Sequence, residues 1–361
     1  MNIVFIASGP HDFLNGCYHD RMYAPSNELK ECGHETRTLF LRSQVSQKWL
    51  DYADVVVFAR YYNHQNALPL LYSFRENDTK IVYDIDDDIW TVPGVNPTQN
   101  ISRKNKRQAE ELMEQSDLIT TSTPILKKRI EDKMDTDKVV VCPNGVRDNF
   151  KGKEKENDIL RIGWSGSVTH WGDLMLVLPA LKELQEDYEF KFYLQGICSQ
   201  PLIAEFYRYQ LEINLGSEER FHKKAMEARE VLSEMDFEHI PFYPPEMHPE
   251  IMKDINLDIG LCPLENNYFN AAKSNMKFYQ YAWLGATTLA SDVAPYNTEM
   301  EALVKNTKKD WKNKIEELIK NEKKRKDLLK KQRKFVKENR RIKDVVEKTW
   351  NKHLKNLIEK G

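Results

Sequence analysis

Cysteine is scarce in this chain, and none of it sits at a ligand spacing. The five cysteines are Cys17, Cys32, Cys142, Cys198 and Cys262. Their number is odd and no C-x-x-C pair occurs, which argues against a disulfide framework and a structural zinc site and favours reduced thiols in a cytosolic protein. The glycine-rich nucleotide motifs are missing as well. There is no P-loop and no G-x-G-x-x-G, so a dinucleotide-binding reading has little support; G-x-S-x-G and H-E-x-x-H are also absent. No stretch approaches the roughly 20 apolar residues of a membrane span. The opening MNIVFIASGP is too short an apolar run for a signal peptide and carries no basic flank. The expectation is a cytoplasmic protein whose membrane contact, if it has any, is peripheral.

A one-sided charge is lacking only in the total. The formal net charge is −2, with 40% hydrophobic and 30% charged residues, a globular composition. Residues 301–361 carry 22 Lys and Arg against 10 Asp and Glu, while residues 1–300 carry 32 against 46. An acidic body is joined to a basic tail. The length suggests two domains.

Short apolar runs alternate with amphipathic ones. Strands are expected at Asn2–Ala7, Val55–Ala59, Ile81–Asp84, Leu118–Thr121 and Val139–Cys142, and a helix at Ala24–Cys32, stopped by Gly33. Continuous β-rich runs of this length suit parallel strands buried on both faces. After a polar linker at Asn149–Asn157 the pattern restarts, with strands at Arg161–Trp164, Phe190–Leu194, Glu238–Phe242, Asp258–Leu261 and Thr287–Ala290 and a helix at Leu174–Gln185. An Asp precedes a strand at Asp54, Asp117 and Asp258, which reads as strand-entry chemistry and not as a repeat. From about Lys308 the chain is helical, and the spacing of Trp311, Ile315, Leu318, Val346, Trp350 and Leu354 predicts a packed layer and not a free arm. The fold class is α/β, with two stacked βαβ domains facing a cleft and a C-terminal helical segment.

Four segments can carry chemistry. In Ile162-Gly-Trp-Ser-Gly-Ser-Val-Thr-His170 a strand runs into a Gly/Ser turn and a helix; Gly166 and Ser167 would let backbone N–H groups approach a phosphate, to which His170 could donate. The bland alternative is an ordinary βα turn. In Asn267-Tyr-Phe-Asn-Ala-Ala-Lys-Ser-Asn-Met-Lys-Phe-Tyr-Gln280, the residues Lys273, Lys277 and Gln280 share one face if the helix has begun by Lys273, and could hold a diphosphate and a ribose. Alternatively Ser274 is the N-cap, or the stripe is only a solvated basic face. Tyr83-Asp-Ile-Asp-Asp-Asp-Ile-Trp90 ends a strand in four carboxylates, read either as a divalent-metal site or as a capped turn. The loop Gly9–Tyr23, with Gly16, His19, Asp20 and Arg21, would line the cleft.

Taken together these pieces resemble a GT-B glycosyltransferase related to the retaining family 4. The resemblance is carried by Tyr18-x-x-Arg21-x-x-x-Pro25 with Leu29-x-x-x-Gly33-His34, by Ala53-Asp-Val-Val-Val with Arg60, and by Val82-Tyr-Asp-Ile-Asp-Asp-Asp88. Ser116–Thr123, Val141–Val146, the Ile162–His170 loop, and Pro263-Leu264 with Asn270, Lys273-Ser274, Lys277 and Tyr281-Ala282 continue it. It implies two Rossmann-like domains: an acceptor-side domain at 1–148, rejoined by a last helix at 340–361, and a donor-side domain at 149–339. It also implies a UDP- or GDP-sugar co-substrate, no metal and no other cofactor. The donor-binding residues would be Gly166, Ser167, His170, Asn270, Lys273, Ser274, Lys277 and Gln280; the acceptor side would hold Gly16, Arg21, Arg60, Asp86 and Asp88. The catalytic group stays open among His170, Asp86 and Asp87. The family's two glutamates are replaced by Ala272 and Gln280, which leaves a non-catalytic sugar- or nucleotide-binding relative as the alternative. The acceptor could be a glycan, a lipid-linked glycan or DNA with a modified base. The basic tail would suit contact with an anionic membrane or a nucleic acid, or form a solvated helix surface.

Overall fold

The computed structural model describes residues 1–7, 16–40, 45–60, 66–93, 101–152, 156–196, 218–299 and 301–359. The expected loop residues 9–15, linker residues 153–155 and Cys198 lie outside them. Among the described residues there are two six-stranded parallel sheets. The first comprises β1 (Asn2–Ala7), β2 (Glu35–Phe40), β3 (Val55–Ala59), β4 (Lys80–Ile85), β5 (Leu118–Thr121) and β6 (Val139–Val141), in the order β2-β1-β3-β4-β5-β6. The second comprises β7 (Arg161–Ser165), β8 (Lys191–Gln195), β9 (Glu238–Ile240), β10 (Ile259–Cys262), β11 (Thr287–Ser291) and β12 (Leu303–Val304), in the order β12-β11-β10-β7-β8-β9. Strand order reverses beside β1 in the first sheet and beside β7 in the second. At such switch points the loops leaving neighbouring strands diverge to opposite faces and open a crevice at the carboxyl edge.

The strand-entry aspartates have a defined task. The Asp54 carboxylate accepts the N–H of Asn2 at 2.6 Å, Asp117 that of Ile81 at 2.7 Å and Asp258 that of Arg161 at 2.9 Å. Each reaches across to the adjacent strand and satisfies a donor at its start, where the ladder has no partner to offer.

Three local features depart from the sequence reading. The edge strand β2, Glu-Thr-Arg-Thr-Leu-Phe, has no continuous apolar run: Thr36 is buried while Glu35 and Arg37 are exposed, the period-2 pattern of an edge. The helix expected at Leu174–Gln185 is two helices, Trp171–Met175 and Leu178–Asp187. Pro179 has no N–H to continue the first and is suited to the first turn of the second. The helix Ala24–Glu31 is entered through a π-helical turn at His19–Tyr23, a wide turn invisible in composition.

Each sheet is covered on both faces. The chain passes from the first sheet to the second through Gly145–Gly152 and returns at Arg340–Ile342, where the two crossings bond to each other: Val146 N–H donates to Arg340 O at 2.7 Å and Ile342 N–H to Val146 O at 3.0 Å. Gly145 is required there, since a Cβ would sit 2.6 Å from Ile342 Cα. Beyond this crossing Ile342, Val346, Trp350 and Leu354 pack into the first sheet's core beside Ile3, Phe5 and Val57. Trp350 is 1% exposed and its ring lies 6.3 Å from that of Phe5. Truncating a buried aromatic costs about 3–5 kcal/mol, so Trp350→Ala should lower the denaturant midpoint, and removal of 340–361 should do so further. An unchanged unfolding midpoint in both would mean that the terminal helices are not part of the first domain's core.

Candidate functional site

An open cleft of about 1670 Å³ separates the carboxyl edges of the two sheets. On the first-domain side the strand-end aspartates face different arginines. Asp84 is fully buried and takes Arg21 Nε at 3.0 Å and Nη2 at 2.5 Å, together with the Thr120 hydroxyl at 2.6 Å. Arg21 Nη1 donates to Cys142 O at 2.6 Å and Asn144 Oδ1 at 2.7 Å. At 1% exposure, Arg21 has no surface left for an acceptor, which corrects its expected place in the cleft. Asp88 is also removed from that list: it is 2% exposed, accepts from Arg129 Nη1 at 2.8 Å and from Trp90 N–H at 3.1 Å, and so closes its own turn.

Asp86 and Asp87 do line the cleft, with Gly16. Both are paired with Arg60, whose Nε is 3.1 Å from Asp86 and whose Nη2 is 2.8 Å from Asp87. Arg60 takes a left-handed φ of 50° at the end of β3, unusual outside glycine. Burial pushes the Asp86 carboxyl up against the pull of Arg60, whereas for Asp87 the opposing burial is outweighed by Arg60 and Lys273, which hold it below the usual range. Among the described residues no group of three or more His, Cys, Asp or Glu side chains is placed to hold a metal. Two further residues of the first domain line the cleft. His19 reaches Glu246 of the second domain at 3.4 Å. Asp20 has its carboxyl raised to about 6, by burial against the attraction of Arg147.

The second-domain side is built on the β7 and β10 loops, at the switch point. Ser165 N–H donates to the Tyr281 hydroxyl at 2.6 Å, and Gly166 N–H to Gln195 O at 3.0 Å. Gly166 cannot carry a side chain: a Cβ would lie 2.4 Å from the Trp164 ring and 3.2 Å from Lys277 Nζ. Gly196, at φ 91°, backs onto it so closely that a Cβ would meet Gly166 O at 2.4 Å. The Ser167 hydroxyl is bonded to that of Thr169 at 2.8 Å. His170 Nδ1 lies 2.6 Å from Asp173 Oδ2. Burial, opposed by that bond, lowers its pKa to about 4, so at pH 7 the ring is neutral, Nδ1–H points to Asp173 and Nε2 is an acceptor. Donation to a phosphate therefore requires the anion itself to draw a proton onto the ring.

The expected basic stripe is rearranged. The helix is Met276–Leu284, so Lys277 and Gln280 stand on its first turns while Lys273 precedes it, in the turn in which Lys273 N–H donates to Asn270 O at 3.1 Å. Asn275, not Ser274, precedes the helix, and the Ser274 hydroxyl instead accepts from Asn144 Nδ2 at 3.0 Å across the cleft. Asn270 is 6% exposed and spends its amide on Glu265 O at 3.0 Å; it borders a smaller pocket beside His170 and Lys273 rather than the main cleft. Lys273, Lys277 and Gln280 all line the cleft. Lys277 Nζ lies 4.4 Å from the Trp164 ring centroid and Lys273 Nζ 4.9 Å from that of Phe269. Among the described residues neither ammonium has a carboxylate within ion-pairing distance. Burial accordingly pushes the Lys277 pKa down. The cleft thus offers two cations and a glycine loop on one wall, and arginine-bound carboxylates on the other.

Against solved structures the whole chain finds partners. The fold is the two-domain GT-B fold of glycosyltransferases. A glycosyltransferase from Rickettsia africae ESF-5 superposes with a TM-score of 0.66 at 12% identity, over 100% of this chain and 99% of that one. Anabaena Alr3699/HepE, in complex with UDP and glucose, gives 0.64 at 11% identity over 96% and 98%. An alpha-glucosyltransferase in complex with UDP and a 13-mer DNA containing a HMU base gives 0.64 at 11% identity over 99% of each chain. No protein-family model and no curated protein matches the sequence.

Within this GT-B frame, sequence reasoning missed Trp164 as the platform under Lys277, the Gln195–Gly196 backstop, and Arg147 and His248 on the cleft wall. Gly166 and Gly196 each follow the end of one of two neighbouring strands, β7 and β8, and are separated by helices in the chain, so no local motif joins them. Removing one partner of a buried ion pair typically costs about 3–5 kcal/mol. Arg21→Ala should therefore destabilise the protein by that order, and Asp84→Asn Arg21→Met together should recover part of the loss. Chemical denaturation of the single and double variants measures both; additive losses would show that the pair is not coupled.

Proposed function

We propose that the protein transfers a sugar from a nucleoside diphosphate donor, UDP-linked in the first instance, to an acceptor hydroxyl, with the donor held by the second domain (149–339) and the acceptor by the first (1–148 with 340–361). The observation that carries this is Lys277. Its ammonium is desolvated, rests on an aromatic face and, among the described residues, has no carboxylate within ion-pairing distance. A half-buried, desolvated cation with Asp173 acting on it only from beyond ion-pairing distance is costly, and an incoming diphosphate supplies a close counter-charge beside the Gly166 loop at the switch point. Lys273 adds a second charge and Gln280 an amide for the ribose. The charge on the leaving diphosphate grows as the glycosidic bond breaks, so these groups act on the transition state. The UDP carried by two of the structural neighbours, and glucose in one of them, favour UDP-glucose as the first donor to try. The resemblance to family 4, and a neighbour named as an alpha-glucosyltransferase, support retention of configuration.

One observation favours a binding protein without turnover. Ala272, where the family has a carboxylate, is 1% exposed, packs into the first domain's core, and its carbonyl accepts the Thr123 hydroxyl at 2.8 Å. Sugar-nucleotide hydrolysis separates the two readings.

A ligand confined to the native state raises the melting temperature by mass action. UDP or GDP sugars should do so here, and a screen in which no nucleoside diphosphate or nucleotide sugar shifts the curve would falsify the assignment. A charge-assisted bond contributes roughly 1.5–3 kcal/mol, so Lys277→Ala should weaken UDP binding about tenfold to a hundredfold, read by calorimetry, while Gln280→Glu should bind as the parent does. Turnover should persist in EDTA, because the carboxylates after β4 face arginines; loss of activity restored by Mn²⁺ or Mg²⁺ is the contrary result.

A further inference from the structure

The segment that carries Lys273 belongs by sequence to the second domain, but the first domain holds it. Residues Tyr268–Ala271 form a single helical turn after β10, capped by Asn267, whose Oδ1 accepts the Asn270 N–H at 2.8 Å. Ala272 follows; it packs among the first domain's core residues, and its carbonyl accepts the Thr123 hydroxyl at 2.8 Å. At the other end of the turn the Tyr268 ring meets Arg129, from the helix Pro124–Met134, with 3.4 Å between the guanidinium carbon and the ring centre. Arg129 is itself fixed, since its Nη1 donates to the buried Asp88 at 2.8 Å. A planar guanidinium can stack on an aromatic face while its edge is bonded to a carboxylate. Tyr268 is 62% exposed and lines neither of the two cavities, so neither burial nor contact with a bound molecule accounts for its place on the guanidinium.

We propose that Arg129 and Tyr268 are positioning residues of the donor site: with Thr123 and Ala272 they clamp the turn 268–272 to the first domain, and so hold Lys273 where the diphosphate binds. This rests on the donor reading above. The path from the clamp to the cleft is short. Lys273 follows Ala272 directly, its N–H donates to Asn270 O at 3.1 Å, and its Nζ lies 4.9 Å from the ring centre of Phe269, the neighbour of Tyr268 in the same turn. A loop ordered before the ligand arrives does not have to be ordered by it, which raises affinity without adding a contact. The clamp also gives Ala272 a role. A carboxylate at that position would be carried into an apolar core, whereas the methyl group lets the turn seat against the first domain. The acceptor-side domain thereby completes the donor site, and the donor binds at full strength only when the two domains are together.

The test is UDP affinity, measured by calorimetry on the full chain with the melting temperature of each variant beside it. Tyr268→Ala should weaken UDP binding about threefold to tenfold. It should lower the melting temperature by no more than about two degrees, because an exposed cation–π contact contributes little to stability. Tyr268→Phe should bind as the parent does, since it is the ring that meets Arg129. Arg129→Lys keeps a charge for Asp88 but loses the flat stack, and should weaken binding as Tyr268→Ala does. Lys273→Ala should weaken binding by itself, and in that background Tyr268→Ala should have little further effect, because two residues acting through one contact are not additive. The proposal is overturned if Tyr268→Ala binds UDP like the parent, if Lys273→Ala does, or if the two losses add in full. An equal loss in Tyr268→Phe also overturns it, since the hydroxyl would then be acting on the ligand. Should Lys277→Ala weaken UDP binding while no Tyr268 variant does, the donor assignment stands and only the clamp is wrong. A parent that binds no nucleotide removes the donor assignment itself, and the clamp with it.

Discussion

The ion pair between Arg21 and Asp84 organises the first domain. A single guanidinium joins the turn after β1 to the end of β4, to the carbonyl of Cys142 after β6 and to Asn144 at the start of the domain crossing. It also lies 5.4 Å from the Trp350 ring on the returning helical segment. Burying two charges is unfavourable in itself, and such a pair adds stability only when its remaining donors and acceptors are met. Here Thr120, Cys142 and Asn144 meet them. The consequence reaches the cleft, because fixing Arg21 in the core fixes the turn from which Asp20 lines it.

The two walls of the cleft are then electrostatic opposites. On the first domain, carboxylates are matched by arginines, so that wall is polar with most of its charges answered. On the second, Lys273 and Lys277 lie over aromatic rings with no carboxylate of the described residues within ion-pairing distance. An anion is drawn to the second wall, and a neutral hydroxyl is tolerated at the first. Among the described residues the domains touch through Thr123 and Ala272, Asn144 and Ser274, His19 and Glu246, and Arg129 over the Tyr268 ring. Domain contacts of that kind permit the small relative motions by which cleft enzymes admit and release ligands.

The tail carries its positive charge in a folded form. Lys320, Lys324, Lys326 and Lys331 face Glu316, Glu317, Glu322 and Glu301, while Trp311, Ile315 and Leu318 are buried against the second sheet. Exposed pairs of this kind contribute little stability; the apolar face holds the helix. No described helix is long and apolar enough to cross a membrane.

What the sequence alone determined was the periodic part. Ten of the twelve strands were marked, most of them by continuous apolar runs because a parallel strand buried on both faces has no polar face to confuse the pattern, and the exposed face of the edge strand β2, with Glu35 and Arg37, is why it went unread. The short β12, of two residues, gave no run to read. The glycine loop at Gly166 and the lysines near Lys277 were legible as residue types suited to phosphate. Their roles were decided by tertiary contacts between distant segments. Whether an aspartate serves the core or the cleft depends on which arginine reaches it, and Arg21, Arg60 and Arg129 come from the turn after β1, the end of β3 and the helix after β5. Lys277 could be recognised as a cation from its letter, but only the fold showed that it lies over Trp164 with no described carboxylate at ion-pairing distance. Periodicity is a property of neighbours along the chain, whereas charge pairing and desolvation are properties of neighbours in space.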